Sequence, residues 1–346
     1  SQPWKRRSQL NHSRTRSPCC TNNPQNYRTS NMAKGEAHKY HHYVPQCYLR
    51  QFAHEGNNSW YLHTLILKSK KQVKTSVEKV CGEDYFYSIS DDYLKRNSQN
   101  DINKLSIELD YFAKNVELSF SSILSGINNR IQICLEKKIK NFLLAEHERK
   151  EIAKHIAIQY MRLPEVRKQN NEMFDSVMPK MIRLFTYGLS KELNNPDIAK
   201  LDIVASVDQV VNHAKSTYLD EELLNTFSNQ LCNNYWSFFY SSTNSFYTSD
   251  SPIVAFGHAD NICERNECLG LTRYGVETSF PLTPNLMLVI WDKRYFSKFD
   301  RLDGYFGEVT KDFLEHLNSR RLLYAKKYVF SYNAPIDTNI KEIKII

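Results

Sequence analysis

The chain lacks most of the signatures that would assign it a function at once. No apolar run approaches the roughly 20 residues that cross a bilayer, so a helical membrane protein is excluded and a soluble, cytoplasmic chain is expected. There is no Gly-x-x-x-x-Gly-Lys-Ser/Thr loop, no His-Glu-x-x-His and no Gly-x-Ser-x-Gly, which excludes ordinary P-loop NTPases, zinc proteases and esterases of those types. No internal repeat is visible. Cys-x-x-Cys pairs are absent, so although His258, Cys263 and Cys268 form an evenly spaced trio, no second pair completes four zinc ligands, and loop thiols are the reading. The eight cysteines are scattered, as in a reducing compartment where thiols stay free. Acidic residues are missing altogether from residues 1–31.

What is present is globular. The 346 residues, 41% hydrophobic and 24% charged, suffice to bury a full core. The net charge of +8 invites a nucleic-acid reading, but six of the cations (Lys5, Arg6, Arg7, Arg14, Arg16 and Arg28) lie in the acid-free first 31 residues. That segment has no amphipathic period and runs into Met32, which looks like a natural start. It is expected to be either an upstream translated or vector-derived piece or a disordered basic arm, ahead of a single domain over 32–346.

Within that domain, residues 38–90 are β-rich: Trp60–Leu67 and Val73–Val80 read as antiparallel strands, with a shorter run at Tyr85–Tyr87. Residues 100–232 are helical. Apolar positions recur at Ile102, Leu105, Leu109, Phe112, Val116, Phe120, Ile123 and Ile127, and further helices fit Leu144–Leu163 (stopped by Pro164), Glu165–Leu189 and Ser206–Leu231. Residues 235–332 are β-rich again, with a helix at Thr310–Ala325 and a last strand at Tyr328–Ser331. The expected fold is α+β, a helical middle packed against β-rich ends that form a mixed or antiparallel sheet around one cleft.

Residues 38–52 concentrate ionisable and aromatic groups with no helical period, which no core demands. Together with Ser106-Ile-Glu108, Gln159-Tyr-Met-Arg162-Leu-Pro, Phe246-Tyr-Thr-Ser-Asp250-Ser-Pro252, Phe280-Pro-Leu-Thr-Pro and Leu317-Asn318, the run His41-His42-Tyr-Val-Pro-Gln-Cys-Tyr-Leu-Arg50-Gln-Phe resembles the bacterial family called domain of unknown function 4238. The resemblance covers nearly everything after the first 31 residues. It departs at Cys47, where the family usually has an aromatic. It implies a pattern without a substrate, and the mobile and defence-associated settings of similar genes point toward nucleic-acid damage.

His41-His42-x-Val-Pro also resembles the opening strand of an HNH-type nuclease, in which one histidine binds a divalent cation and the next takes a proton from the attacking water. Asn57 or Asn58 and His63 follow, but the last histidine of that motif belongs on a helix and Trp60–Leu67 reads as a strand. Structural roles stand beside each catalytic one. His41 and His42 either act or pin a turn. Gln159 and Arg162 share a helix face with His155 and either hold a phosphate or sit in solvent. Glu108 either turns inward or pairs with Lys104, and Asp250 either ligates a metal or makes an Asx turn. Arg149 and His155 also have the loose Arg-x5-His spacing of helical ribonucleases, a weak signal.

The leading expectation is a metal-dependent phosphodiesterase or nuclease acting on nucleic acid, an anti-phage effector. His42, Arg50, Gln159 and Arg162 would do the chemistry, and His41, Glu108 and Asp250 would hold Mg or Mn. The alternative is a non-enzymatic binding or sensing module in which the same residues are a structural network.

Overall fold

Strands far apart in sequence are brought together in two five-stranded sheets. In the computed structural model, residues 39–98, 102–201, 207–243, 245–258 and 270–339 are described. Residues 1–31, Cys263 and Cys268 therefore lie outside the described residues. Strand β1 (Tyr40–His42) leads through one helical turn, α1 (Gln46–Leu49), to β2 (His54–Glu55), β3 (Trp60–Ile66), β4 (Lys71–Ser76) and β5 (Gly82–Asp84). The helical middle holds α2 (Asp91–Arg96), a π-helical stretch (Ile107–Glu117) that runs into α3 (Leu118–Glu136), then α4 (Glu146–Met161), α5 (Pro164–Glu192), α6 (Gln209–Lys215) and α7 (Glu221–Cys232). The last part comprises β6 (Tyr235–Tyr240), β7 (Thr248–Ser249), β8 (Val254–Gly257), β9 (Val276–Thr283), β10 (Leu286–Trp291), β11 (Phe306–Glu308), α8 (Lys311–Tyr324) and β12 (Tyr328–Ser331). The fold is α+β.

One sheet has the order β2-β3-β12-β7, with β4 on β3, so the last strand pairs with an N-terminal one. The other has the order β11-β6-β10-β9-β8, antiparallel except for the parallel β11–β6 pair. Its strand β10, Leu-Met-Leu-Val-Ile-Trp, is buried throughout because both faces are covered. Leu286, Leu288 and Ile290 point into the main core with the helical middle, whereas Met287, Val289 and Trp291 pack on α8 through Leu317 and Phe313. Among the described residues no helix is long and apolar enough to cross a membrane, and Cys47, Cys81, Cys134 and Cys232 are free.

Four elements differ from the sequence reading, the first being the strand expected over Val73–Val80, which ends at Ser76 and gives way to a helical turn at Val77–Lys79. Tyr85–Tyr87 forms a turn, with Tyr85 at a φ of 55°, and the short strand beside it is β5. Ser206–Leu231 is two helices because two aspartates each start one: Asp208 accepts from the Val210 and Val211 amides, and Asp220 from the Leu223 amide. The amphipathic run that begins at Ile102 becomes regular only at Ile107 and carries a π-helical geometry up to Glu117.

A buried network at the His-His-Tyr-Val-Pro segment

β1 pairs antiparallel with β5, His41 opposite Glu83 and His42 opposite Gly82. The approach demands glycine: a Cβ at Gly82 would sit 2.7 Å from the His41 carbonyl oxygen and closer still to the Tyr40 ring. Pro45 then sets the extended geometry that starts α1. On this turn, Arg50 Nη2 donates to Gln46 Oε1 (3.1 Å), and the Gln46 amide lies 3.5 Å from His42 Nδ1. Tyr48 points the other way. Its Oη donates to the Pro281 carbonyl (2.7 Å) and lies 2.6 Å from Thr248 Oγ1, tying the segment to strands 200 and 233 positions downstream.

His41, His42, Gln159 and Arg162 converge, and all four are buried. His41 Nδ1 accepts from the Tyr87 amide (2.9 Å), and its ring stacks on that of Tyr87. Gln159 Nε2 donates to the Tyr43 carbonyl (3.0 Å). Arg162 caps the C-terminal end of α4 and is 1% exposed. Its Nη2 donates to the His42 carbonyl, its Nε to Tyr87 Oη (3.1 Å), and both terminal nitrogens reach Glu117 Oε1 (3.3 Å). Every nitrogen of that side chain thus faces a group of the chain itself.

The electrostatics are those of an interior. Burial, assisted by the Arg162 charge, holds the His42 imidazole down at about 4, although nearby Val77 and Glu78 backbone groups favour its protonation. Burial pushes the Glu108 carboxyl up to about 7 against the pull of Arg162. Glu108 Oε2, His42 Nε2 and Arg50 Nε are buried and find no hydrogen-bond partner among the described residues. Glu108 does not pair with Lys104, which instead reaches Asp91.

The Asp250 carboxylate is committed to backbone amides. It makes no local Asx turn: Oδ1 accepts from the Lys326 amide (2.9 Å) and Oδ2 from the Lys327 and Tyr328 amides (2.6 and 3.3 Å), so the carboxylate receives the chain between α8 and β12. His41, Glu108 and Asp250 therefore do not form one ligand set. Among the described residues no group of three His, Cys, Asp or Glu side chains is arranged to hold a metal ion. His63 lies on β3 and not on a helix. His155 rests on the Phe120 ring 5.1 Å away, and Arg149 pairs with Asp303 (2.9 Å), so neither joins the network.

A cleft of about 420 Å³ is lined by Glu83, Phe86, Arg167, Lys168, Glu172 and Asp175 among others. With three acids against two cations, it is not built for phosphate.

A second polar centre, which the sequence reading missed, lies between β9 and α8. Glu277 is fully buried: Oε1 pairs with Arg320, and Oε2 lies 2.9 Å from His258 Nε2. Arg321 donates to the Pro252 carbonyl (3.1 Å) and Ser279 Oγ (2.7 Å). His316 is buried, neither of its ring nitrogens has a hydrogen-bond partner among the described residues, and burial together with Arg320 holds it down at about 4. The available signals were an acid inside the strand run Val-Glu-Thr-Ser-Phe and the i, i+4 spacing of His316 and Arg320 on α8.

Fold and geometry together define an α+β protein whose most distinctive sequence segment is an interior polar network. The family model described as "Protein of unknown function (DUF4238)" matches residues 40–334, and the chain belongs to that family. No curated protein and no solved structure matches it.

Proposed function

We infer that the His41, His42, Gln159 and Arg162 network is the keystone that fixes the N-terminal strands to the helical middle, and that the chain works as a binding or sensing module. The observation that carries this reading is Arg162: it is 1% exposed and its guanidinium is engaged by the His42 carbonyl, Tyr87 and Glu117, so it does not present a free fork to a substrate phosphate. Gln159 and His41 are likewise committed to backbone partners. The test is thermal melting of Arg162→Met and Gln159→Leu against the parent chain. A keystone loses several degrees, whereas a catalytic pair leaves the melting temperature in place.

One observation favours a second reading, the metal-dependent phosphodiesterase. Glu108 carries a near-neutral carboxyl whose Oε2 is unpartnered, and His42, whose Nε2 is equally unpartnered, feels the same Arg162 charge. Incubation with single-stranded and duplex DNA and RNA in Mg or Mn decides it. Cleavage that disappears in Glu108→Gln while the variant stays folded establishes the enzyme.

A further inference from the structure

Pairing of β9 with β10 continues past the end of the ladder: the Asp292 amide donates to the Val276 carbonyl (3.1 Å), and the Asp292 carboxylate accepts from the Gly275 amide (2.8 Å). This draws Tyr274 and Arg294 together at one end of the sheet, the Arg294 guanidinium carbon 5.8 Å from the Tyr274 ring centroid. Tyr295 adjoins them. Its ring lies 5.6 Å from that of Tyr274 and nearly perpendicular to it, and its Oη donates to the His258 carbonyl (3.1 Å). Phe296, which is buried, touches the rings of both Tyr295 (4.9 Å) and Phe299 (6.2 Å). Tyr274, Tyr295 and Phe299 are 53%, 39% and 50% exposed.

A lone aromatic at a surface is ordinary. Here three are linked through one buried ring, and cations are interleaved with them. Residues 270–274 and 293–302 hold Arg273, Lys293, Arg294, Lys298 and Arg301, all exposed, against one acid, Asp300. These two short segments thus carry +4, whereas the whole of residues 32–346 carries +2, the chain's +8 less the +6 of its first 31 residues. Exposed rings offer faces on which unpaired bases stack, and flanking cations meet the phosphates between them. A duplex, whose bases already stack on one another, can use only the charge. We propose that this end of the β9–β10 pair binds single-stranded nucleic acid, with bases on Tyr274, Tyr295 and Phe299. The rings sit on turns and on the 3-10 helix Ser297–Leu302, unlike the amphipathic helix that lies on a membrane. The proposal deepens the binding-module reading and rests on it. None of these residues belongs to the His42–Arg162 network, so the melting test of that reading and the binding test below fail separately.

Fluorescence anisotropy of the full chain with labelled oligo-dT of roughly 20 nucleotides, in EDTA so that metal-dependent cleavage is silent, tests it. The parent binds the single strand about tenfold more tightly than a duplex of the same length. Tyr274→Ala and Phe299→Ala each weaken binding about tenfold, the loss of one stacked base, with the melting temperature unchanged because both positions are exposed. Tyr274→Phe, which keeps the ring, keeps the affinity. Arg273→Ala lowers the slope of log affinity against log salt by about one. The six cations of residues 1–31 are untouched by these substitutions, so binding through that segment would leave every variant alike and overturn the proposal. A parent that ignores the oligonucleotide or holds the duplex as tightly overturns it too. So does a loss of rings that releases the chain from phosphatidylglycerol vesicles and not from oligo-dT, which would assign the patch to a membrane surface.

Discussion

The guanidinium carbon of Arg162 lies 4.0 Å from the centroid of the Phe112 ring, so a helix C-terminus is clamped onto the π-helical turn while the same side chain grips the β1 backbone. One residue thereby joins three elements, and the stacking adds about 0.5–2 kcal/mol to the hydrogen bonds.

Arg162→Met keeps most of the stem and its packing but orphans the His42 carbonyl and Tyr87 Oη and leaves Glu117 without its cation. The expected loss is about 3–5 kcal/mol, read by urea denaturation with an unchanged slope. Arg162→Lys recovers only part of it, because an ammonium cannot serve Tyr87, Glu117 and the His42 carbonyl together.

In the second centre, Glu277 and Arg320 form an ion pair out of contact with water. Glu277→Leu or Arg320→Met alone breaks this buried pair and costs about 3–5 kcal/mol. The double variant is far milder than the sum, since two apolar side chains of similar volume replace the pair. A double-mutant cycle from denaturation midpoints measures this, and additivity of the two single losses would refute the coupling.

His42, His155, His213 and His316 are all held down at about 4 by burial. An imidazole whose folded value lies below its unfolded one, about 6.5, takes up protons first in the unfolded chain. Its stabilising contribution is therefore complete above that value and drains away as the pH falls from about 6.5 to 4. The melting temperature should drop across that window. His316→Leu, which removes a ring with no hydrogen-bond partner, should shrink the drop.

Glu108 runs in the opposite sense. Its folded value of about 7 exceeds the ordinary 4.5, so the fold binds a proton that the unfolded chain releases. That contribution is present below 4.5 and lost as the pH climbs through 7. Glu108→Gln should raise the melting temperature at pH 8 and change it little at pH 4, and equal shifts at both would refute it.

Where periodicity carries the information, the sequence was readable. Thr310 accepts from the Phe313 amide and Ala325 ends α8, the limits set by the apolar period, and β12 occupies Tyr328–Ser331 as read. His41, His42, Gln159 and Arg162 were legible as distinctive residues through composition and the family resemblance. Their burial was not, because a polar row on a helix reads the same whether it meets water or a neighbouring backbone. Asp250 looked like a local turn residue, yet its partners are the amides of 326–328, and no local pattern reports them. The Glu277–Arg320 pair was hidden for the same reason: a charge within an apolar strand makes sense only once α8 is laid across β9.

The sheet that begins with β2 and β3 is completed by β12, whose residues Tyr328–Ser331 lie opposite Ile66–His63. During synthesis the early strands must therefore wait, with one edge unpaired, until residues 328–331 have left the ribosome. Such a long-range closure makes for slow maturation and a lengthy interval in which that edge is open to wrong partners.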